Sequence, residues 1–192
     1  MIYMIMQKNA AFLRTCSLLF AFISVSACVT TTSTYVAPSG PTTAKLQIKT
    51  DALQSHAYSI SIFDDAVNCT NPKLVAVGQG SNSNLTTSLK TGALVTTRFV
   101  GAGNNKTCQI LETFVPISGH TYQLYGKLDE QGCSVVVYDI SNPNNPQVEQ
   151  SLLRRQVKNQ TCEPLSAAKR IVAVVKDNKP SMDDFVDLLP GK

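Results

Sequence analysis

Short runs in which apolar and polar residues alternate constrain the fold of this chain more than any other feature. Leu46 and Ile48 alternate with polar neighbours, and so do Tyr58, Ile60 and Ile62. Because a period of two residues places successive side chains on opposite faces of a strand, each run predicts a half-buried strand. Turn signals separate such runs about every 8–14 residues, a spacing typical of all-β sandwiches. We therefore expect an all-β domain, an antiparallel β-sandwich of about six to eight strands.

A hairpin is predicted between residues 121 and 140. The runs T-Y-Q-L-Y-G-K-L and C-S-V-V-V-Y-D-I flank the turn D-E-Q-G, and a glycine-containing loop between two alternating runs is typical of a hairpin. Further strands are predicted at residues 74–77, as a short buried strand, and at residues 93–100 and 108–117, on either side of the turn G-A-G-N-N-K. Residues 78–84 predict a polar, glycine-rich loop.

After Pro146 the pattern is less uniform. Val148, Leu152 and Leu153 fit either the spacing of a helix or a long strand. The β-branched run at residues 171–175 predicts a strand.

The C-terminal tail, residues 179–192, predicts a short helix. Ser181 suits the N-cap position, and Asp184 lies three residues later, close to the pattern of a capping box. Phe185 and Leu188 would lie on the apolar face of this helix.

The first 27 residues have the composition of an export signal. Lys8 and Arg14 give a positive start with no acidic residue, and the uncharged apolar run 15–27 follows. The run has the length of a signal-peptide core and is shorter than the ~20 residues that a membrane-spanning helix needs. Three methionines are candidate starts: Met1, Met4 and Met6.

The run ends in V-S-A-C, which resembles the bacterial lipobox: an aliphatic residue, two small residues and a cysteine. The resemblance implies cleavage between Ala27 and Cys28 and lipidation of Cys28, and two or more acyl chains hold a protein stably on a membrane. Cys16 lies in the same run but follows an arginine and a threonine, so it does not match. Val29, rather than an aspartate, follows Cys28. In enterobacterial lipoproteins this implies the outer membrane, with the domain facing the periplasm.

The remaining chain divides into a linker, a domain and the tail. Residues 28–43 comprise the lipidated cysteine and a Thr/Ser/Pro-rich segment without charge, whose composition predicts a flexible linker. Residues 44–178 hold the predicted strands. This layout resembles small bacterial lipoproteins with a transthyretin-like or immunoglobulin-like sandwich, and the resemblance concerns the fold more than the role.

Four cysteines follow the lipidation site: Cys69, Cys108, Cys133 and Cys162. In an exported chain an even number predicts two disulfides, with three possible connectivities. Of these we favour Cys69–Cys108 with Cys133–Cys162. A four-cysteine zinc site is the alternative. Zinc ligands usually come in close pairs such as C-x₂-C, whereas these cysteines are 39, 25 and 29 residues apart.

No cluster of residues in the sequence predicts catalysis. His56 and His120 are expected in exposed loops, outside any metal-binding motif. Asp64 and Asp65 fit a turn at the end of a strand better than a carboxylate pair, because no calcium-loop pattern surrounds them. The glycine-rich segments lack the following helix of a phosphate loop. We therefore expect no catalytic residue, no metal and no cofactor.

The charge balance and the export signal bound the function. Without Lys8 and Arg14 the chain has 15 Lys+Arg against 13 Asp+Glu, and a balance of +2 is too small to indicate nucleic acid. We expect a non-enzymatic, membrane-anchored envelope lipoprotein that acts as a structural or protein-binding module with an envelope protein as partner. Two narrower roles are alternatives. One is a secretion-system assembly lipoprotein, since the type VI lipoprotein has a similar size and layout. The other is a periplasmic inhibitor of a host enzyme such as lysozyme.

Overall fold

Eight strands of eight to ten residues make up most of the computed structural model, which describes residues 33–158 and 161–171. Cleavage at Ala27, lipidation of Cys28, and the C-terminal helix predicted at Ser181 lie outside the described residues. The long strands are β1 Thr43–Ala52, β2 Ala57–Asp65, β3 Thr70–Gln79, β4 Asn82–Lys90, β5 Val95–Gly103, β6 Lys106–Phe114, β7 Thr121–Asp129 and β8 Gly132–Asp139. The short ones are β9 Gln147–Val148, β10 Leu153–Arg155, β11 Val157–Lys158, β12 Thr161–Cys162 and β13 Lys169–Arg170, with one 3₁₀ turn at Leu165–Ala167.

The long strands belong to two sheets that pack face to face, as the predicted sandwich requires, and β11 and β12 form a separate two-stranded sheet. Sheet I has the order β4-β1-β7-β8-β9, and sheet II has the order β13-β10-β6-β5-β2-β3. Within the described ranges the ladders are antiparallel except between β1 and β7, which run parallel. The parallel pair brings the starts of β1 and β7 and the end of β8 to the same end of sheet I.

The core lies between the inner faces of the two sheets. Leu46, Ile48, Leu124 and Val137 of sheet I and Ile60 of sheet II are completely buried, on the faces that the alternation predicts. Burying each such side chain contributes about 1.5–3 kcal/mol to stability.

Gly126 allows the two sheets to approach closely at the centre of the core. A Cβ atom at Gly126 would lie 2.6 Å from Cε2 of Phe99, closer than packed atoms tolerate. Phe99 in turn stacks on Tyr58, with 6.1 Å between the ring centroids. The glycine on β7 therefore makes room for an aromatic pair on sheet II.

The hairpin predicted between residues 121 and 140 is confirmed. β7 pairs with β8 through a two-residue loop. Oδ1 of Asp129 accepts hydrogen bonds from the backbone NH groups of Gln131 and Gly132, at 2.9 and 3.2 Å. These bonds fix the turn and hence the register of the hairpin.

The predictions for residues 74–84 are wrong in two respects. β3 is an edge strand of sheet II, so residues 74–77 are not a buried strand, and Val77 is 65% exposed. Residues 78–84 are not a long loop, because the chain turns at Gly80, which has φ +68°, and then continues as β4. The sequence of β4, N-S-N-L-T-T-S-L-K, alternates weakly because β4 is also an edge strand. Leu89 is its fully buried residue.

The segment before β1 is attached to the domain at residues 33–35. The NH of Leu74 donates to the carbonyl of Ser33, and the NH of Tyr35 donates to the carbonyl of Leu74, both at 2.8 Å. The hydroxyl of Tyr35 reaches the carbonyl of Ser88 on β4 at 2.9 Å. Tyr35 thus connects the edge strands of the two sheets.

The chain crosses from sheet I to sheet II between β8 and β10. Val148 lies on β9 beside Tyr138 of β8, Leu152 is completely buried, and Leu153 begins β10, which pairs with β6. These residues therefore form two short strands and a turn, rather than the helix or the single long strand considered from the sequence. The crossing segment forms one wall of a groove at this end of sheet I.

Candidate functional site

The four cysteines form two disulfides, as predicted, but the favoured pairing is wrong. Cys69 is bonded to Cys162 and Cys108 to Cys133, with Cα–Cα distances of 5.6 and 6.2 Å. Cys108 on β6 and Cys133 on β8 face each other across the core, so this bridge joins the two sheets. Cys69 lies on the outer side of sheet II, packed with Phe63, where Cys108 cannot reach it.

Arg155 fixes the loops around the Cys69–Cys162 bridge. Arg155 is 2% exposed. Its guanidinium donates to the backbone carbonyls of Ala66 at 2.8 Å and Val67 at 2.6 Å, and to that of Glu163 at 2.6 and 2.9 Å. All three acceptors are backbone groups in the two loops that the disulfide joins. This arrangement is structural.

Asp64 and Asp65 end β2 in a turn, as predicted. Oδ1 of Asp65 accepts from the NH groups of Val67 and Asn68, each at 3.0 Å. The bonds from Asn68 are the main reason why the pKa of Asp65 lies below its usual range. Asp64 pairs with Lys73 at 3.3 Å. The two carboxylates have separate partners and form no joint site.

Contrary to our prediction of an exposed loop position, His56 is buried, with 2% exposure. Its Nδ1 lies 3.2 Å from Oγ of Ser55. Its ring occupies the space above Gly103, where a Cβ atom would lie 1.9 Å from Cδ2. His56 lines a cavity of about 340 Å³ beside the Cys108–Cys133 bridge, at the end of sheet I opposite to the groove.

A larger groove of about 640 Å³ lies at the other end of sheet I. We call it the β8–β10 groove, because the segment between these strands forms one of its walls. Residues between β6 and β7 form the other wall. The lining residues are Val115, Ile117, His120, Asp139, Ser141, Asn142, Asn145, Gln147, Val148, Glu149, Gln150 and Ser151.

His120 is not fully exposed, contrary to our prediction, because it pairs with Asp139 in this groove. Nδ1 of His120 lies 2.6 Å from Oδ2 of Asp139, and 35% of the histidine side chain is exposed. Oδ1 of Asp139 accepts from the NH and the hydroxyl of Ser141, at 2.9 and 2.6 Å. Partial burial raises the pKa of Asp139, but the bonds from Ser141 and then His120 outweigh it and hold the pKa below its usual range.

Glu149 is the most deeply buried acidic group of the groove, with 6% exposure. Its Oε1 accepts from the NH and the hydroxyl of Ser151, at 2.9 and 2.7 Å. Oγ of Ser151 in turn accepts from the NH of Val115 at 2.9 Å. In the described part of the chain no donor is bonded to Oε2 of Glu149. The carboxylate is therefore held in one orientation by one oxygen while the other is open.

Tyr122 lies next to the groove, and the charges of both carboxylates affect its pKa. Burial raises the pKa of Tyr122 to about 12; the hydrogen bond from the NH of Ile117 lowers it, and the charges of Glu149 and Asp139 raise it. Both acidic groups of the groove therefore act electrostatically on the phenol of Tyr122.

The two serine hydroxyls that line the groove are bonded to its carboxylates. The hydroxyl of Ser141 donates to Asp139, and that of Ser151 donates to Glu149. The described residues contain no group of three or more His, Cys, Asp or Glu side chains able to hold a metal, and no helix among them is long and apolar enough to cross a membrane.

The contact between His120 and Asp139 could have been predicted from the sequence. In the predicted hairpin, counting back from the turn pairs Tyr122 with Asp139, which brings His120 close to Asp139. Glu149 and Ser151 were missed, because nothing in Q-V-E-Q-S indicates a chain that crosses between two sheets.

Comparison with known proteins does not add a family. A scan against protein-family models finds no match, and a search of curated proteins finds none either.

Proposed function

We propose that this chain is an exported lipoprotein whose β-sandwich is a non-enzymatic binding module for another envelope protein, with the β8–β10 groove as the binding site. The observation that carries the proposal is the buried carboxylate of Glu149, oriented by Ser151 and open on its second oxygen. Ligand sites in proteins combine a recess, apolar walls and a few fixed polar groups, and this groove has all three.

Export is supported by the two disulfides, since such bridges persist in oxidising compartments and are rare in the cytosol. The membrane anchor is supported by the positive start, the apolar run and V-S-A-C before Val29. Together they favour a protein tethered through Cys28 to the outer membrane and facing the periplasm.

The anchor is tested by Cys28→Ser, with Cys16→Ser as a matched control in the same apolar run. We expect Cys28→Ser to lose the acyl mass of the mature N-terminus and to leave the membrane fraction, while Cys16→Ser keeps both. An unmodified N-terminus in the wild-type protein would contradict the proposal.

The binding role is tested by affinity purification from membranes, with the lipid anchor and linker alone as control. We expect an envelope protein that the anchor does not retain. Its identity separates the two narrower roles, because an assembly lipoprotein retains a secretion component and an inhibitor retains a host enzyme such as lysozyme. No enrichment above the anchor would contradict the binding role.

A further inference from the structure

We infer that the β8–β10 groove binds a lysine side chain of its protein partner, with Glu149 as the acceptor of the ammonium group. The inference rests on the proposed function, because it specifies what the groove recognises. It starts from the state of Glu149, which is more than nine-tenths buried. A buried carboxylate is costly unless it is paired or fully hydrogen-bonded.

The donors that the chain supplies to Glu149 are neutral. The NH and hydroxyl of Ser151 both go to Oε1, and among the described residues none is bonded to Oε2. Arg170 lies nearby, but its Nη1 donates to the carbonyl of Gln150 at 3.1 Å. The groove thus presents a carboxylate oxygen that is paired with no cation from residues 33–158 and 161–171.

The groove lining holds two acidic residues and no lysine or arginine among the described lining residues. The second acidic residue, Asp139, already has a partner in His120, so Glu149 is the carboxylate left to bind a cation. The domain as a whole has the opposite balance, because residues 33–171 contain 12 Lys+Arg and 9 Asp+Glu. The groove is therefore a local acidic recess on a domain of weakly positive charge, which favours a cationic group at this place.

The hydrogen bonds of Glu149 favour lysine over arginine. A guanidinium prefers to bind both oxygens of a carboxylate in a bidentate pair. Oε1 already accepts two hydrogen bonds, so one oxygen is open and suits the single point charge of an ammonium group. Val115, Ile117 and Val148 supply apolar walls against which the methylene stem of a lysine can pack.

A neutral sugar would need different walls. Sugar rings usually stack on aromatic side chains, and the chain contains no tryptophan. Apart from His120, the described lining residues include no aromatic ring. The charge and the walls of the groove therefore both favour lysine.

The first test uses the full lipidated protein in detergent and the probe acetyl-GGKGG-amide, with binding followed by NMR. We expect weak binding that falls at least tenfold when the probe lysine is acetylated and several-fold when it is replaced by arginine. Glu149→Gln should lower the affinity at least tenfold, whereas Glu130→Gln, an exposed glutamate in the β7–β8 turn, should change it less than twofold. Equal binding of the acetylated probe, or binding of chitotriose without response to the peptide, would overturn the inference.

The second test uses the native partner. A water-soluble carbodiimide activates a carboxylate; an amine in contact with it then displaces the urea and forms an amide. In membranes that contain the wild-type protein we expect an amide between Glu149 and a partner lysine, detected by mass spectrometry. It should be absent in Glu149→Gln and present in Glu130→Gln. A partner recovered without a Glu149 amide would refute the lysine site and leave the binding role intact, whereas the absence of any partner would refute the binding role itself.

Discussion

Glu112 and Glu149 are both withdrawn from solvent, at 0% and 6% exposure, but their surroundings differ. Glu112 faces the interior on β6, and its Oε1 accepts from Nε and Nη2 of Arg154 at 3.1 and 2.6 Å. Nη2 of Arg154 also donates to the carbonyl of Val135 on the opposite sheet. Glu149 has no such cation in the part of the chain that the structure describes. The same residue type therefore joins the two sheets in one place and presents an open acceptor in another.

The free oxygens sharpen the difference. Oε2 of Glu112 and Nη1 of Arg154 are buried without a hydrogen-bond partner among the described residues. Oε2 of Glu149 has no hydrogen-bond donor within residues 33–158 and 161–171 either, but Glu149 lines a groove of about 640 Å³. The two glutamates differ in the access to this oxygen. That of Glu112 is enclosed between the sheets, whereas that of Glu149 can be reached by a ligand.

Removing the cation that Glu112 has should cause the largest loss of stability. At pH 8 we expect Arg154→Ala to lower the free energy of unfolding by about 3–5 kcal/mol, since it leaves a buried charge unpaired. Urea denaturation measures this. Arg170→Ala, an exposed arginine on β13 beside β10, is the control and should cost less than about 0.5 kcal/mol. A loss of the same size in both variants would contradict the role of the pair.

The titration of Glu112 should give the next largest effect. Burial raises the pKa of Glu112 from its ordinary value of 4.5 to about 7, although the charge and the hydrogen bonds of Arg154 act in the opposite direction. Between pH 4.5 and pH 7 the carboxyl of Glu112 is therefore protonated in the folded state and ionised in the unfolded state. This contribution to stability is fully present below about pH 4.5 and is lost as pH rises through 7, a change on the order of 3 kcal/mol.

Glu112→Gln provides the measurement. From pH 4.5 to 8 the unfolding free energy of the wild-type protein should fall relative to that of this variant. A flat difference for Glu112→Gln would show that the proton does not reside on this group.

Glu149→Gln should separate binding from stability. We expect the unfolding free energy to change by less than about 1 kcal/mol, because an amide oxygen can keep the bonds from Ser151. The affinity for the lysine probe should fall at least tenfold, which corresponds to about 1.4 kcal/mol. Large destabilisation without a change in probe affinity would make Glu149 a structural residue like Glu112.

A cation introduced into the groove should give Glu149 a partner like the one that Glu112 has in Arg154. Ile117 is 52% exposed and lines the groove, so Ile117→Lys places an ammonium where the partner lysine is expected. The predicted result is a several-fold loss of probe affinity with a stability change below about 1 kcal/mol. Ile117→Leu is the control, and equal effects of the two substitutions would mean that shape rather than charge matters.

The sequence predicted the β-sandwich because alternation reports which face of a strand is buried, and Leu46, Ile60 and Leu124 occupy the faces expected. Edge strands such as β4 were missed because little of their surface is buried. The disulfide pairing depends on which strands oppose each other across the core, and local patterns hold no such information. His120 and Asp139 could be paired from the hairpin register, but Glu149 could be placed only once the crossing between the sheets was known.

The order of the cysteines has a consequence for assembly. In a chain that crosses a membrane from its N-terminus, Cys69 and Cys108 emerge before Cys133 and Cys162. An oxidase that joins thiols as they appear would form Cys69–Cys108, whereas the folded domain requires the nested pairs Cys69–Cys162 and Cys108–Cys133. The native bridges then arise either by folding before oxidation or by thiol–disulfide exchange. Production of this domain should therefore depend on a disulfide isomerase wherever oxidation precedes folding.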